Sequence, residues 1–298
     1  MFSFRRRDAD GGKGLSAKTA VLLPSSLSTQ KAMTILIEPE TIPIARDIDT
    51  AAEQIALFLD FDGTLVEIAP SPEDVQLDRR VAPALESLRS QLGGALALVS
   101  GRPIAFLDEM LAPHQFDIAG LHGAQIRLGG ELRAQSDAPE NMREAVRDLV
   151  RFANGHVGII VEDKRISAAL HWRLAPELKD EALELMRKAA AKLGPGVRLQ
   201  EGKSVAELVP AGASKGNAIA WLMAAPGYAG RRPVFIGDDI TDEDGFEAVN
   251  AMGGLSIRIG ADRESLATIR LASPTALRHI LLEAAENGGL TASSFSQN

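Results

Sequence analysis

Residues 55–65, IALFLDFDGTL, restrict this chain more than any other stretch. Five apolar residues run without a break into two carboxylates, a glycine and a hydroxyl. A short apolar run closed by turn residues suits a strand buried on both faces of a parallel sheet. In open α/β sheets chemistry gathers just beyond the carboxyl ends of such strands, where Asp60 and Asp62 fall. Residues two apart on a strand share a side, and Gly63 lets the chain turn sharply as it leaves. Two carboxylates about 4 Å apart repel by roughly 4 kcal/mol at an effective dielectric near 20, so the pair calls for a cation. A hard ion such as Mg2+ takes oxygen ligands of this kind. An Asp-x-Asp triplet alone is more often an acidic helix cap. The strand before it and the Gly-Thr-Leu after it favour one nucleophilic and one acid/base carboxylate on a metal.

The arrangement recurs down the chain. Residues 96–103, LALVSGRP, end an apolar strand on Ser100, whose hydroxyl suits a phosphoryl oxygen, with Arg102 two residues on as an assistant or a surface residue. Residues 117–127, DIAGLHGAQIR, form a third strand-like segment in which Gln125 and Arg127 share a face and His122 leaves a strand end between glycines. Ser214-Lys215-Gly216 opens a helix, and a lysine there adds its charge to amides that already favour anions. Residues 233–237, PVFIG, form a buried strand that runs into five acids within positions 238–244. Asp238, nearest the strand end, is the candidate metal ligand. Asp239 and Asp242 act through water or around it, Thr64 supports Asp60, and Thr241 is expected to cap the following helix.

Between about 131 and 209 the pattern changes to α-β-β-α-β-β, a self-contained α+β insert. The strand 166–173 alternates: Ile166, Ala168, Leu170 and Trp172 face one way, expected onto the helices, and Ser167, Ala169, His171 and Arg173 the other. Glu162 and Lys164 share a face, and Glu207 opposes Ala206 and Leu208. A polar sheet face is ordinarily solvated. Opposite a catalytic sheet it becomes a lid with donors and acceptors suited to hydroxyl recognition.

The order Asp60/Asp62, Ser100, Lys215, Asp238/Asp239 resembles the four motifs of the haloacid dehalogenase superfamily of aspartyl phosphotransferases. Residues 52–285 more closely resemble the trehalose-6-phosphate phosphatase family. That likeness rests on GLHGAQIR at 120–127, on Glu162-Asp-Lys164 with SAALHWR at 167–173, on Glu207, and on GDDITDED at 237–244. Gln125 stands where the family usually has Glu, and Val209 where an Arg commonly precedes the proline. The implied fold is α/β: a Rossmann-like parallel-sheet core of residues 51–130 and 210–288 with an α+β cap at 131–209. The implied activity is Mg2+-dependent hydrolysis of trehalose 6-phosphate through an aspartyl-phosphate. Asp60 is then the nucleophile, Asp62 the acid/base group, and Ser100 and Lys215 hold the phosphoryl oxygens. Asp60, Asp238 and the Asp62 carbonyl hold the metal. Arg102, His122, Gln125, Arg127, Glu162, Lys164, His171, Arg173 and Glu207 meet the substrate. The alternatives are a phosphatase for another sugar phosphate and a phospho-accepting signalling module.

Composition sets outer limits. A net charge of −8 argues against nucleic acid and anionic membrane as partners. The lack of cysteine removes thiol chemistry and fits a cytoplasmic protein. A monomer acting on a small sugar phosphate is expected. Residues 1–50 read as a loosely attached N-terminal segment, with Met33 as a possible natural start, and residues 289–298 as a frayed tail.

Overall fold

A computed structural model describes residues 55–71, 73–260, 263–290 and 295 of the chain. The expectations for residues 1–50, and for most of the C-terminal tail, lie outside the described residues. Leu290 and Phe295 of that tail are buried in the main core rather than frayed.

The first strand, β1 (Ile55–Leu59), lies at the centre of an eight-stranded sheet. From β1 the chain winds outward through α1 (Val81–Gln91), β2 (Leu96–Val99), α2 (Ile104–Leu111) and β3 (Asp117–Gly120). Two antiparallel strands, β4 (Gln125–Leu128) and β5 (Glu131–Gln135), finish that edge. Residues 131–135, expected to begin the cap, thus extend the core sheet, because the Gly129-Gly130 turn folds them back onto β4.

The insert follows: α3 (Met142–Asn154), β6 (Ile160–Asp163), β7 (Ala168–His171), α4 (Lys179–Leu193), β8 (Val197–Gly202) and β9 (Val205–Pro210). Its strands form a separate antiparallel sheet in the order β6-β7-β9-β8. The chain then returns through α5 (Lys215–Met223) to β10 (Arg232–Gly237), which pairs with β1 on its free side. After α6 (Glu243–Ala251), β11 (Leu255–Ile259) and β12 (Ile269–Leu271) wind the opposite way, and α7 (Pro274–Asn287) closes the described chain. The winding direction reverses between β1 and β10, and such a switch point opens a crevice at the strand ends.

Alternation along β1 explains the layering. Ile55, Leu57 and Leu59 pack with α1, α2 and α7, while Ala56 and Phe58 pack with α5 and α6. A strand covered on both faces leaves no room for a polar residue until it ends, so Asp60 is the first to appear. In the insert, Ala168, Leu170, Trp172, Ala206 and Leu208 pack against α3 and α4. Ile166, expected on that same face, instead packs with Leu121, Ala124 and Ala213 of the core. It lies before β7 begins, in the turn that joins β6 to β7, and the sheet's alternation does not reach it.

Candidate active site

Strand register builds the floor of the site. Leu59 is level with Ile236 of β10 and with Leu98 of β2. The next steps bring Asp60, then Asp238 and Ser100, to the carboxyl edge of three adjacent strands. Gly63 has φ +77°, and a Cβ there would fall 2.2 Å from an Asp238 carboxylate oxygen. Glycine at 63 is what lets the two acidic turns approach.

Lys215, buried in the first turn of α5, ties the floor together. Ser214 caps that helix, its hydroxyl accepting from the Asn217 amide at 3.1 Å. The ammonium donates to Asp60 Oδ1 at 2.7 Å and to Asp242 Oδ1 at 2.6 Å. The Thr64 hydroxyl donates to Asp60 Oδ2 at 3.2 Å. Asp242 Oδ2 accepts from the amides of Asp238 and Asp239 at 2.9 and 2.8 Å. Thr241 is not a cap: Asp239 caps the short 3-10 turn Ile240–Asp242 in a reciprocal arrangement with Asp242. Burial raises Asp60 to about 7 against the pull of Lys215, with the Asp242 charge adding to the rise. Burial, then the charges of Asp60 and Asp242, raise Asp238 to about 9.

The residues present fit a cation. Ligand oxygens of Asp60, Asp238 and Asp242 lie within 4.8 Å of one another. Asp242 is committed to Lys215 and two amides, whereas Asp238 Oδ1 is buried without a hydrogen-bond partner among the described residues. A buried carboxylate oxygen left in that state is costly unless something positive meets it. An all-oxygen donor set of this kind suits a hard divalent ion.

Beside the floor, Arg102 grips Asp62: Nε donates to Oδ2 and Nη2 to Oδ1, both at 2.7 Å. The insert's sheet forms the opposite wall. Glu162, Ala169, Glu207 and Gln200 stand in one row across its four strands, and Ile160, His171, Val205 and Gly202 in the next row on the same face. Between floor and sheet lies a cavity of about 180 Å³, lined among others by Asp60, Asp62, Ser100, Glu162, His171 and Lys203.

Buried Glu207 has a partner at each oxygen. Its Oε1 accepts from the Ser167 hydroxyl at 2.8 Å, its Oε2 from Lys164 Nζ at 2.9 Å, and His122 Nε2 lies 3.4 Å from Oε2. Burial opposes its charge, but Lys164 and His122 overcome that and hold Glu207 well below the usual carboxylate range. Lys164 also donates to the Gly101 carbonyl at 3.0 Å, a direct tie between insert and core. Glu162 meets His171 Nε2 at 3.3 Å. Arg173 donates to the carbonyls of Ala69 and Lys203. His122 has φ +56° in a left-handed turn with Leu121 and Gly123. That turn seats its ring against Gly101, where a Cβ would fall 2.6 Å away.

Two of the expected substrate residues lie elsewhere. Arg127 is buried against Asp108 of α2, with bonds of 2.6 and 2.7 Å, and against the Phe116 carbonyl. Gln125 Oε1 accepts from the Ile104 amide at 3.4 Å. Neither lines the cavity. Val209 is buried, and Arg198 stands opposite it in register, donating to the Ala213 carbonyl and to Gln200. Sequence reasoning passed over Gln200 and Lys203. Gln200 Nε2 lies 3.1 Å from the His122 ring nitrogens, and its place becomes visible only once β8 is paired with β9.

An open, mostly parallel sheet with an inserted α+β layer is a haloacid-dehalogenase-type fold. The trehalose-phosphatase family model matches residues 58–275. A protein of Sinorhizobium fredii named a probable trehalose-phosphate phosphatase is 42% identical over 213 residues, 72% of this chain and 80% of that one. The trehalose-6-phosphate phosphatase of Escherichia coli K12 is 39% identical over 221 residues, 74% of this chain and 82% of that one. The C-terminal domain of the Candida albicans trehalose-6-phosphate phosphatase has a TM-score of 0.70 at 20% identity, covering 79% of this chain and 92% of that one, a likeness of fold. The chain belongs to the trehalose-phosphatase family.

Proposed function

We propose that this protein is a Mg2+-dependent phosphatase that hydrolyses trehalose 6-phosphate to trehalose and inorganic phosphate. The observation that carries this reading is Asp60 at the switch point, both oxygens held by Lys215 and Thr64, facing a sheet that presents Glu162, His171 and Gln200.

Asp60, Asp238 and the Asp62 backbone carbonyl would hold the ion. When bound, it supplies the positive charge that lets an anionic nucleophile approach an anionic phosphoryl group. An Asp60 oxygen attacks phosphorus, and the bond from phosphorus to the sugar oxygen breaks. The departing oxygen takes its electron pair and receives a proton from Asp62. Asp62 then takes a proton from water as the water oxygen attacks the aspartyl-phosphate, and the bond to Asp60 breaks to release phosphate. An ammonium has three donors; Lys215 spends two on Asp60 and Asp242, leaving one for a phosphoryl oxygen beside the Ser100 hydroxyl. Lys164 and Glu207, with Glu162, His171, Arg173 and Gln200, offer the sugar hydroxyls both donors and acceptors.

The test is phosphate release from a panel of sugar phosphates with Mg2+. Trehalose 6-phosphate should exceed glucose 6-phosphate in kcat/KM by about tenfold or more, the worth of one or two hydrogen bonds made by the second ring. Equal rates would remove the substrate assignment, and no release from any ester would remove the phosphatase.

A further inference from the structure

We infer that Arg102 is the positioning residue of the acid/base carboxylate, holding Asp62 in the direction of the leaving oxygen rather than binding the substrate itself. This rests on the acid/base reading of Asp62 given above.

Four side chains around the Asp-x-Asp turn form a closed circuit. Phe61, between the two carboxylates, is fully buried and meets Phe106 of α2 edge-on, with ring centroids 6.1 Å apart. The Arg102 guanidinium lies over the Phe106 ring, 4.4 Å from its centroid. That guanidinium grips both oxygens of Asp62, the next residue after Phe61. The Arg102 backbone amide donates to Ser100 Oγ at 3.2 Å, which ties the same residue to the hydroxyl at the end of β2. The circuit therefore runs from Phe61 through Phe106 and Arg102 back to Asp62.

The two ends of the ion pair differ in freedom. The Arg102 side chain is 11% exposed and Asp62 is 36% exposed. A carboxylate at the mouth of a turn has rotational freedom that proton transfer cannot use. A paired fork fixes its direction as well as its distance, which a single point charge does not. A misplacement near 1 Å at a reacting group costs about a hundredfold in rate, so the order that Arg102 imposes on Asp62 is worth a measurable factor. Phe106 holds the guanidinium plane, and so acts one step further out.

The experiment compares Arg102→Ala, Arg102→Lys and Asp62→Asn on trehalose 6-phosphate and p-nitrophenyl phosphate. A sugar leaving group needs a proton, and nitrophenolate does not. Arg102→Ala should lose about a hundredfold on trehalose 6-phosphate. On p-nitrophenyl phosphate it should form nitrophenolate in a rapid burst and then turn over slowly, because only the water step still needs Asp62. Arg102→Lys should resemble the alanine variant, and added guanidinium ion should restore much of the loss in Arg102→Ala. Phe106→Leu should show the same leaving-group pattern at a smaller factor. An equal loss on both substrates, expressed in KM and without a burst, would make Arg102 a phosphate ligand and overturn the inference. Unchanged kinetics, or no rescue by guanidinium, would overturn it also. If Asp62→Asn itself shows no dependence on the leaving group, the acid/base reading falls and the positioning role falls with it. Should the alanine variant fail to fold, Arg102→Gln removes the fork while keeping most of the side chain over Phe106, and the same readouts apply.

Discussion

The floor of the cavity and the cap sheet above it both bury acidic side chains, and they treat them oppositely. On the floor, Asp60, Asp238 and Asp242 crowd around one lysine, and a buried oxygen of Asp238 has no partner among the described residues. Burial and mutual repulsion lift Asp60 and Asp238 far above ordinary carboxylates. In the cap, Glu207 receives bonds from Ser167 and Lys164 with His122 alongside, and its charge is favoured in spite of burial. The floor is short of positive charge until an ion arrives. In the cap, Glu207 already has its positive partner without one. Substitutions should therefore weaken function on the floor at little cost to the fold, and in the cap should weaken the fold as well as function.

The largest effect tests the floor. Asp60→Asn keeps the shape of the side chain and removes the attacking charge. Release of phosphate from trehalose 6-phosphate and from p-nitrophenyl phosphate should fall alike, by about 10⁴-fold or more. The melting temperature should not fall, since one of three crowded charges has gone. A folded Asp60→Asn protein within tenfold of the parent would exclude Asp60 as nucleophile.

The next effect concerns the ion. Mg2+ at about one hundred times its dissociation constant stabilises a folded protein by about 2.7 kcal/mol, or roughly 5–10 °C for a domain of this size. Asp238→Asn should abolish most of that thermal shift and, without Mg2+, should melt no lower than the parent. An undiminished shift would place the ion elsewhere.

How much of this contrast was readable beforehand follows from how each half is built. Asp60, Ser100 and Asp238 each end an apolar run, and parallel neighbours in register bring such ends together; the sequence pattern is enough to find them. Lys215 needed only its place at a helix start. Gln125 and Arg127 share a face by alternation, but which face meets the cavity depends on where β4 sits. It lies three strands from β1, and α2 supplies Asp108 to take the arginine. The insert's helices and strands were legible in type and order, since their periodicities differ. Their pairing was not: the row of Glu162, Ala169, Glu207 and Gln200 comes from antiparallel register among four short strands. So the polar face could be named while Gln200 within it could not. The engagement of Glu207 was hidden for a like reason, because Ser167 and Lys164 reach it from the turn that joins β6 to β7 and His122 from the core.

The smallest effect, and the one that separates the two regions most finely, is at Glu207. Glu207→Ala should lower kcat/KM for trehalose 6-phosphate about five- to a hundredfold and leave p-nitrophenyl phosphate nearly unchanged, the cost of about 1–3 kcal/mol for a buried partner left unpaired. An equal loss on both substrates would mean that the residue only supports the cap. Glu207→Gln then tests that support alone. The folded-state value of Glu207 lies far below its ordinary 4.5. A depressed carboxylate contributes stability that is fully present above its unfolded value and is lost as pH falls toward the folded value. The parent should therefore melt above Glu207→Gln at pH 7, and the gap should narrow steadily as pH falls below about 4.5. A gap that stays constant down to pH 3 would trace the difference to packing rather than charge. No gap at pH 7 would mean that the cap does not depend on its internal ion pair, and the contrast with the floor would fail at its weaker end.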